Sequence, residues 1–351
     1  MLNSRFLQRF DRLPVIIAEA GVNHNGKLET ARELVFEAAK AGADIIKFQT
    51  FTADECASEY TPKAEYQNDV ESSNQFELLK KLELPFSAFI ELSRLAQSEN
   101  LEFLSTPDGE KSLQCLTSIP VNALKIASGE VTNLPFLAMI AQTGIPVILS
   151  TGMSRLGEVE KAINCLQGNG CNDIVLLHCT SAYPAADQEI NLRVLQTLRQ
   201  AFGLPVGFSD HSRGIEAAIA ATALGACLIE KHFTLDCLQA GPDHKASLDP
   251  KQFSQMVLAV RRTSMMLGKG MKRPTNAESE NSPVVRRGVC AARNIAKGST
   301  IRSEDLCCKR PAGNIEPEFL EMVTRRIALQ DFVPDQPIFW NQLGKVEKIE
   351  D

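Results

Sequence analysis

All five histidines of the chain stand at, or just beyond, the end of a short apolar run of strand character. His24 follows VIIAEAG, His178 closes DIVLLHCT, His211 closes PVGFSDHS, His232 closes CLIEKHFT, and His244 lies in the loop after that last run. Imidazole carries protons and binds metals near neutral pH, so histidines gathered at strand exits point to one shared site. The same exits bring Glu19 with Asn23, Lys47 with Gln49, Ser105 with Thr106, and Lys125 with Ser128 and Glu130. Ser150, Thr151, Thr180 and Tyr183 follow, then Ser209, Asp210, Glu230, Lys231 and Asp243. Two lysines among hydroxyls and glycine backbone suit a phosphate or a carboxylate. His211 and His232, on neighbouring strands with carboxylates nearby, suit a divalent metal with imidazole and oxygen ligands. Each residue alone has a structural use: Lys47 can snorkel to solvent, Asp210 can cap the following helix, and Glu230 can pair with Lys231. The recurrence of polar groups at one end of nearly every strand favours a site.

The elements that must position these groups alternate. Strand-like runs at Val15–Gly21, Asp44–Thr50, Leu101–Pro107, Ala123–Gly129, Pro146–Gly152, Asp173–Thr180, Pro205–Ser212 and Cys227–Thr234 are separated by amphipathic helical stretches such as ETARELVFEAAKAG. Glycines at 42, 144 and 225 mark helix ends. Eight strand–helix units in about 250 residues predict an α/β fold, a (β/α)₈ TIM barrel over residues 1–267, whose active site lies at the C-terminal strand ends. The polar insertion at 51–86, with KAEYQNDVESSNQ, is expected over the barrel mouth as a lid or substrate contact. GKGMKRPTNAESENSP predicts a linker over 268–285. Residues 286–351 predict a small α+β domain with little core of its own, packed on the barrel or on a partner chain.

Composition narrows the partners. The chain has 351 residues, 44% apolar and 23% charged, with a net charge of −6. The absence of a basic tract argues against nucleic acid. No apolar run approaches the ~20 residues of a membrane span. The N-terminal MLNSRFLQRFDRLP lacks a cleavable apolar core, so no signal peptide is expected. Ten cysteines without a C-x-x-C pair are expected to be reduced thiols of a cytoplasmic protein. No dinucleotide-binding, G-x-S-x-G, H-E-x-x-H or Walker-type motif is present.

The motifs AEAGVNHNG, KFQT, STP, KIASGE, LSTGM, LLHCT, GFSDH, EKHFTLD and GPDHKASLDP occur in this order. Together they resemble the sialic acid (nonulosonic acid) synthases. The tail with KRPAGN (Lys309–Asn314) is similar to the antifreeze-like (SAF) domain that these enzymes carry. The resemblance implies condensation of phosphoenolpyruvate with an N-acetylated hexosamine, releasing phosphate, with a divalent metal, typically Mn²⁺, or else Mg²⁺ or Co²⁺. It makes His211 and His232 the metal ligands and Glu19 the acid/base. It assigns Lys47, Thr106, Lys125, Ser128, Ser150 and Ser209 to phosphate and carboxylate, and Gln49, Glu130, Tyr183 and Asp243 to the sugar. Arg310 would reach the N-acyl group from a partner subunit, in a domain-swapped homodimer. AEAGVNHNG, SGEVTNLPF and ALGACLIEKHFTLD resemble most the legionaminic acid branch, which takes 2,4-diacetamido-2,4,6-trideoxymannose. N-acetylneuraminate synthase, using N-acetylmannosamine, is the alternative, and the pseudaminic branch shares the chemistry. The chain departs from the pattern at Ser181, where some members have asparagine, and after STP, where DGEKS replaces a phenylalanine common among relatives.

Two rivals differ in class. A Schiff-base aldolase or lyase would use Lys125 or Lys47 as the nucleophile, without need of the histidine pair. A carbohydrate-binding protein with an inactive barrel would have lost the strand-end residues that are all present.

Overall fold

The computed structural model describes residues 5–11, 13–63 and 72–346. It divides into two compact units, Met1–Gly268 and Lys269–Asp351. The first is built on eight strands: β1 Val15–Gly21, β2 Ile45–Thr50, β3 Glu102–Pro107, β4 Leu124–Ile126, β5 Val147–Ser150, β6 Ile174–Cys179, β7 Val206–Asp210 and β8 Leu228–His232. Each falls inside one of the runs marked by the sequence. Every ladder between them is parallel, in the order β3-β2-β1-β8-β7-β6-β5-β4, which makes a nearly closed barrel.

Alternation along each strand sorts the side chains into two layers. Ile16, Ala18, Ile46, Phe48, Leu149, Leu176 and Phe208 point outward and pack with helix residues such as Leu34, Phe89 and Leu92. Helix Leu28–Ala41 buries Ala31, Leu34, Val35, Ala38 and Ala41 at helical spacing and stops at Gly42, whose φ of 87° closes the last turn. The opposite parity faces the barrel interior. Val15, Ile17, Ile45, Leu104, Ile148, Val175, Leu177 and Leu228 fill its lower part together with Leu7 and Phe10 of the N-terminal segment. Burial of each large apolar side chain contributes about 1.5–3 kcal/mol. The interior has no room to spare: a Cβ at Gly207 would lie 2.6 Å from the Leu228 carbonyl oxygen and 2.7 Å from Leu177 Cδ2. One pleat higher the same parity turns polar. That change makes a dry floor with a charged layer on top.

The second unit holds two antiparallel pairs, β9 Gly288–Ala291 with β10 Leu306–Lys309, and β11 Arg326–Ala328 with β12 Leu343–Val346. Its core is larger than its length led us to expect, with Val289, Ile295, Ile301, Ile315, Phe332, Ile338 and Leu343 all buried. The expected linker also differs. Residues 269–285 cluster with this unit, and Asn276–Val285 is a helix, because Thr275 and Glu278 form a reciprocal capping box.

Candidate active site

The charged layer opens into a cavity of about 470 Å³ at the C-terminal ends of the strands. Its floor is an alternating set of charges. Glu19 (β1) meets Lys47 (β2) at 2.8 Å, Lys47 stands 3.8 Å from Glu230 (β8), and Lys125 (β4) is 3.4 Å from Glu230. All four are buried. Ser209 donates to Glu230 Oε1 at 2.7 Å, Gln49 donates to Glu19 at 3.3 Å, and Lys47 donates to Thr106 Oγ1 at 3.3 Å. The two carboxylates are driven apart. Burial would raise Glu230, but Lys125 and Lys47, with the Ser209 hydroxyl, hold it down to about 2. Burial, with Glu230 nearby, raises Glu19 despite Lys47. One carboxylate thus stays ionised as a counter-ion, while burial favours the protonated form of the other more than its free value would.

His211 and His232 meet across β7 and β8, ring centroids 5.4 Å apart, with the Tyr183 ring 4.2 Å from His211 and edge-on to His232 at 5.5 Å. His211 Nδ1 donates to the Thr180 carbonyl at 2.7 Å, which fixes its tautomer and leaves an acceptor lone pair on Nε2. Burial lowers His211 to about 4 and pushes His232 well below the ordinary value, so both are neutral at pH 7. His232 Nδ1 is buried without a hydrogen-bond partner, 3.8 Å from Asp243 Oδ2. Two neutral imidazoles, one with its other nitrogen tied to a carbonyl, fit a divalent metal. Among the described residues no third His, Cys, Asp or Glu joins them as a metal-binding group.

The walls come from the loops. Ser128 accepts from the Gly152 N–H at 3.0 Å, and a Cβ at Gly152 would fall 2.4 Å from Ser181 Oγ. Ser181 lines the cavity beside Ser150 and Asp243. Burial, then Glu19, raises Asp243 to about 7. The 51–86 insertion contributes the helix Gln75–Leu82, which presents Leu78, Leu79 and Leu82 to the cavity. Its residues 64–71, including most of KAEYQ, lie outside the described residues.

Every residue that the family resemblance assigns to the site lines this cavity except Glu130 and Arg310. Glu130 stands in the one-turn helix Ser128–Glu130 and accepts from Asn133 Nδ2 at 2.6 Å. Arg310 is exposed just after β10 in the second unit. The five histidines do not converge. His178 faces outward to the Ile190 carbonyl at 2.7 Å, and His244 bonds Thr234 Oγ1 at 2.7 Å. His24 accepts from the Gly26 N–H at 3.1 Å outside the cavity. Lys231 also faces outward and pairs with Asp210 at 2.9 Å, so Asp210 does not cap a helix and Glu230 is left to the two floor lysines. Ser105 and Thr151 point their hydroxyls at strand carbonyls. Glu230 was named at a strand exit and as a partner for Lys231 but given no place in the floor, and Asp108 was not singled out. Their parity, two residues beyond Leu228 and Thr106, would have found both.

Residues 34–272 match the profile of the NeuB family and residues 286–344 that of the SAF domain. The chain is 44% identical over 328 residues to N,N'-diacetyllegionaminic acid synthase of Campylobacter jejuni, covering 92% of this chain and 98% of the relative. It is 47% identical over 321 residues to the synthase of the same name from Legionella pneumophila, covering 90% of each. The solved N-acetylneuraminic acid synthetase of Leptospira borgpetersenii, in complex with citrate, shares 37% identity at a TM-score of 0.70, over 76% of this chain and 90% of that one. A 3-deoxy-D-arabino-heptulosonate 7-phosphate synthase from Thermotoga maritima, 18% identical with a TM-score of 0.58 over 74% of this chain and 89% of that one, has a similar fold. The chain belongs to the NeuB family, its barrel followed by a SAF domain.

Proposed function

We propose that the protein condenses phosphoenolpyruvate with 2,4-diacetamido-2,4,6-trideoxymannose, giving N,N'-diacetyllegionaminate and inorganic phosphate. The observation that carries this reading is the cavity floor, where Lys47 and Lys125 emerge among Thr106, Ser128, Ser150 and Ser209, beside Glu19 and the histidine pair. The near full-length similarity to legionaminic acid synthases supports the choice of sugar. Similarity to the Leptospira N-acetylneuraminic acid synthetase keeps N-acetylmannosamine as the second reading.

Lys47 and Lys125 hold the phosphate and carboxylate of phosphoenolpyruvate, with the hydroxyls completing the cradle. Gln49, Tyr183 and Asp243 orient the sugar. The methylene carbon of phosphoenolpyruvate attacks the open-chain aldehyde, whose oxygen takes up a proton. Positive charge develops at the phosphate-bearing carbon. Water adds there, Glu19 takes its proton, and the C–O bond to phosphate breaks to leave the 2-keto acid. A divalent metal on His211 and His232, manganese first and magnesium or cobalt otherwise, would polarise the aldehyde as a Lewis acid. Arg310 of the partner subunit would meet the N-acyl group in a domain-swapped homodimer. The ten cysteines are all free, which supports a reducing, cytoplasmic setting. Phosphoenolpyruvate labelled with ¹⁸O at the bridging oxygen tests the chemistry. The label should leave in the phosphate; label retained in the keto acid would contradict C–O cleavage.

A further inference from the structure

Asp108 follows β3 directly, and the backbone fixes it from two sides. Its N–H donates to the Thr50 carbonyl at 3.2 Å, at the exit of β2. The next residue, Gly109, sits so close to Glu55 that a Cβ there would fall 2.7 Å from Glu55 Cβ, and Lys111 donates its N–H to Glu55 Oε1 at 2.8 Å. Asp108 is thereby held in the cavity wall. Its carboxyl group makes no hydrogen bond or ion pair among the described residues. The other carboxylates that line the cavity are engaged: Glu19 with Lys47, Glu230 with Lys125, and Asp243 beside His232. Asp108 is therefore the acceptor left over for a ligand.

Its place in the barrel says which part of the ligand. In the strand order β3 lies opposite β7 across the mouth. The aldehyde end of the sugar belongs with Glu19, His211 and His232 on β1, β7 and β8, and the C2 substituent stays one bond from it. Thr106 on the same strand belongs to the phosphoenolpyruvate cradle, and Asp108, one pleat nearer the mouth, is left to the part of the sugar away from the aldehyde. The same cavity presents an apolar wall of Leu78, Leu79 and Leu82, packed with Val22 and with Phe51, the residue after the Thr50 whose carbonyl holds Asp108. A hydrogen-bond acceptor beside apolar surface matches an amide N–H that carries a methyl group, which is an acetamido substituent.

We propose that Asp108 is the specificity-determining residue for the sugar's C4 position, accepting the N–H of a 4-acetamido group whose methyl packs on the Leu78–Leu82 wall. This rests on the substrate reading given above. The test is a cycle between residue and substrate, measuring kcat/KM with the 2,4-diacetamido sugar and with its 4-deoxy analogue. Asp108→Leu should lose about 10- to 100-fold with the diacetamido sugar, and Asp108→Asn should lose less. Wild type should lose a similar factor on moving to the 4-deoxy sugar, and Asp108→Leu should lose little further, because the partner is already gone. The KM for phosphoenolpyruvate should stay within about twofold throughout, which separates a lost sugar contact from a damaged fold. Independent losses in the cycle, or an equal change in the phosphoenolpyruvate KM, would overturn the assignment. A wild-type protein that does not turn over the diacetamido sugar at all would instead overturn the substrate reading, before any variant is compared.

Discussion

At the scale of single residues, the site works by holding like groups in unlike states. Glu19 and Glu230 share Lys47, yet Glu230, also beside Lys125, is held ionised while burial raises Glu19. Glu19→Gln should therefore lower kcat by about 10²- to 10⁴-fold while the dissociation constant for phosphoenolpyruvate, from calorimetry, barely moves. Equal losses in both would make Glu19 a binding residue. Asp108 shows what a functional carboxyl costs the fold. An unfolded aspartate loses its proton near pH 4, whereas in the fold burial, then Glu130, raises Asp108 to about 7. Between those values the folded chain binds more protons than the unfolded one, so stability falls as pH rises through the window and the full cost persists above it. The group is partly open to the cavity, and the cost is on the order of 1 kcal/mol. Asp108→Asn should leave Tm unchanged at pH 4 and raise it by about 2–4 °C at pH 8. The same shift at both pH values would show that titration is not the cause.

At the scale of elements, parity decides which strand-end residue becomes functional. Glu19, Lys47, Thr106, Lys125, Ser150, Ser209, Glu230 and His232 all share the inward parity of the apolar layer beneath them. Strand runs, barrel class and most of the site were legible because the two-residue period and the polar switch at each strand end are written in the sequence. His178 and Lys231 have the outward parity, and treating every strand exit alike placed them at the site wrongly. The helix Asn276–Val285 was hidden by its Gly, Pro and Lys surroundings, although its T-x-x-E cap was present. The apolar wall from Gln75–Leu82 was obscured by the polar insertion that contains it, because what its leucines cover is set by tertiary placement. Outward residues serve the site indirectly. Lys231 and Asp210, both fully buried, pair at 2.9 Å, and Lys231 also donates to the Ser212 carbonyl at 2.5 Å, just past His211. Lys231→Met strands a buried carboxylate and should cost about 3–5 kcal/mol in denaturant unfolding. Adding Asp210→Asn should recover most of it; a single-variant cost under about 1 kcal/mol would mean that the pair does not hold this corner.

At the scale of the whole molecule, the barrel supplies the cavity and the SAF domain supplies Arg310 on an exposed turn. If the domain serves a partner's barrel, Arg310→Ala should raise the KM for the sugar far more than that for phosphoenolpyruvate. Mixing it with a Glu19→Gln chain that keeps Arg310 should then restore activity, since a mixed dimer holds one complete site. Activity no greater than the sum of the two variants alone would place Arg310 outside the partner's site. The most direct measurement of the central claim is phosphate release by metal-stripped protein given phosphoenolpyruvate, with and without manganese, alongside each candidate sugar. The account predicts manganese-dependent release with 2,4-diacetamido-2,4,6-trideoxymannose well above that with N-acetylmannosamine. Release with N-acetylmannosamine alone would contradict the sugar assignment, and release that does not depend on added metal would contradict the role given to His211 and His232.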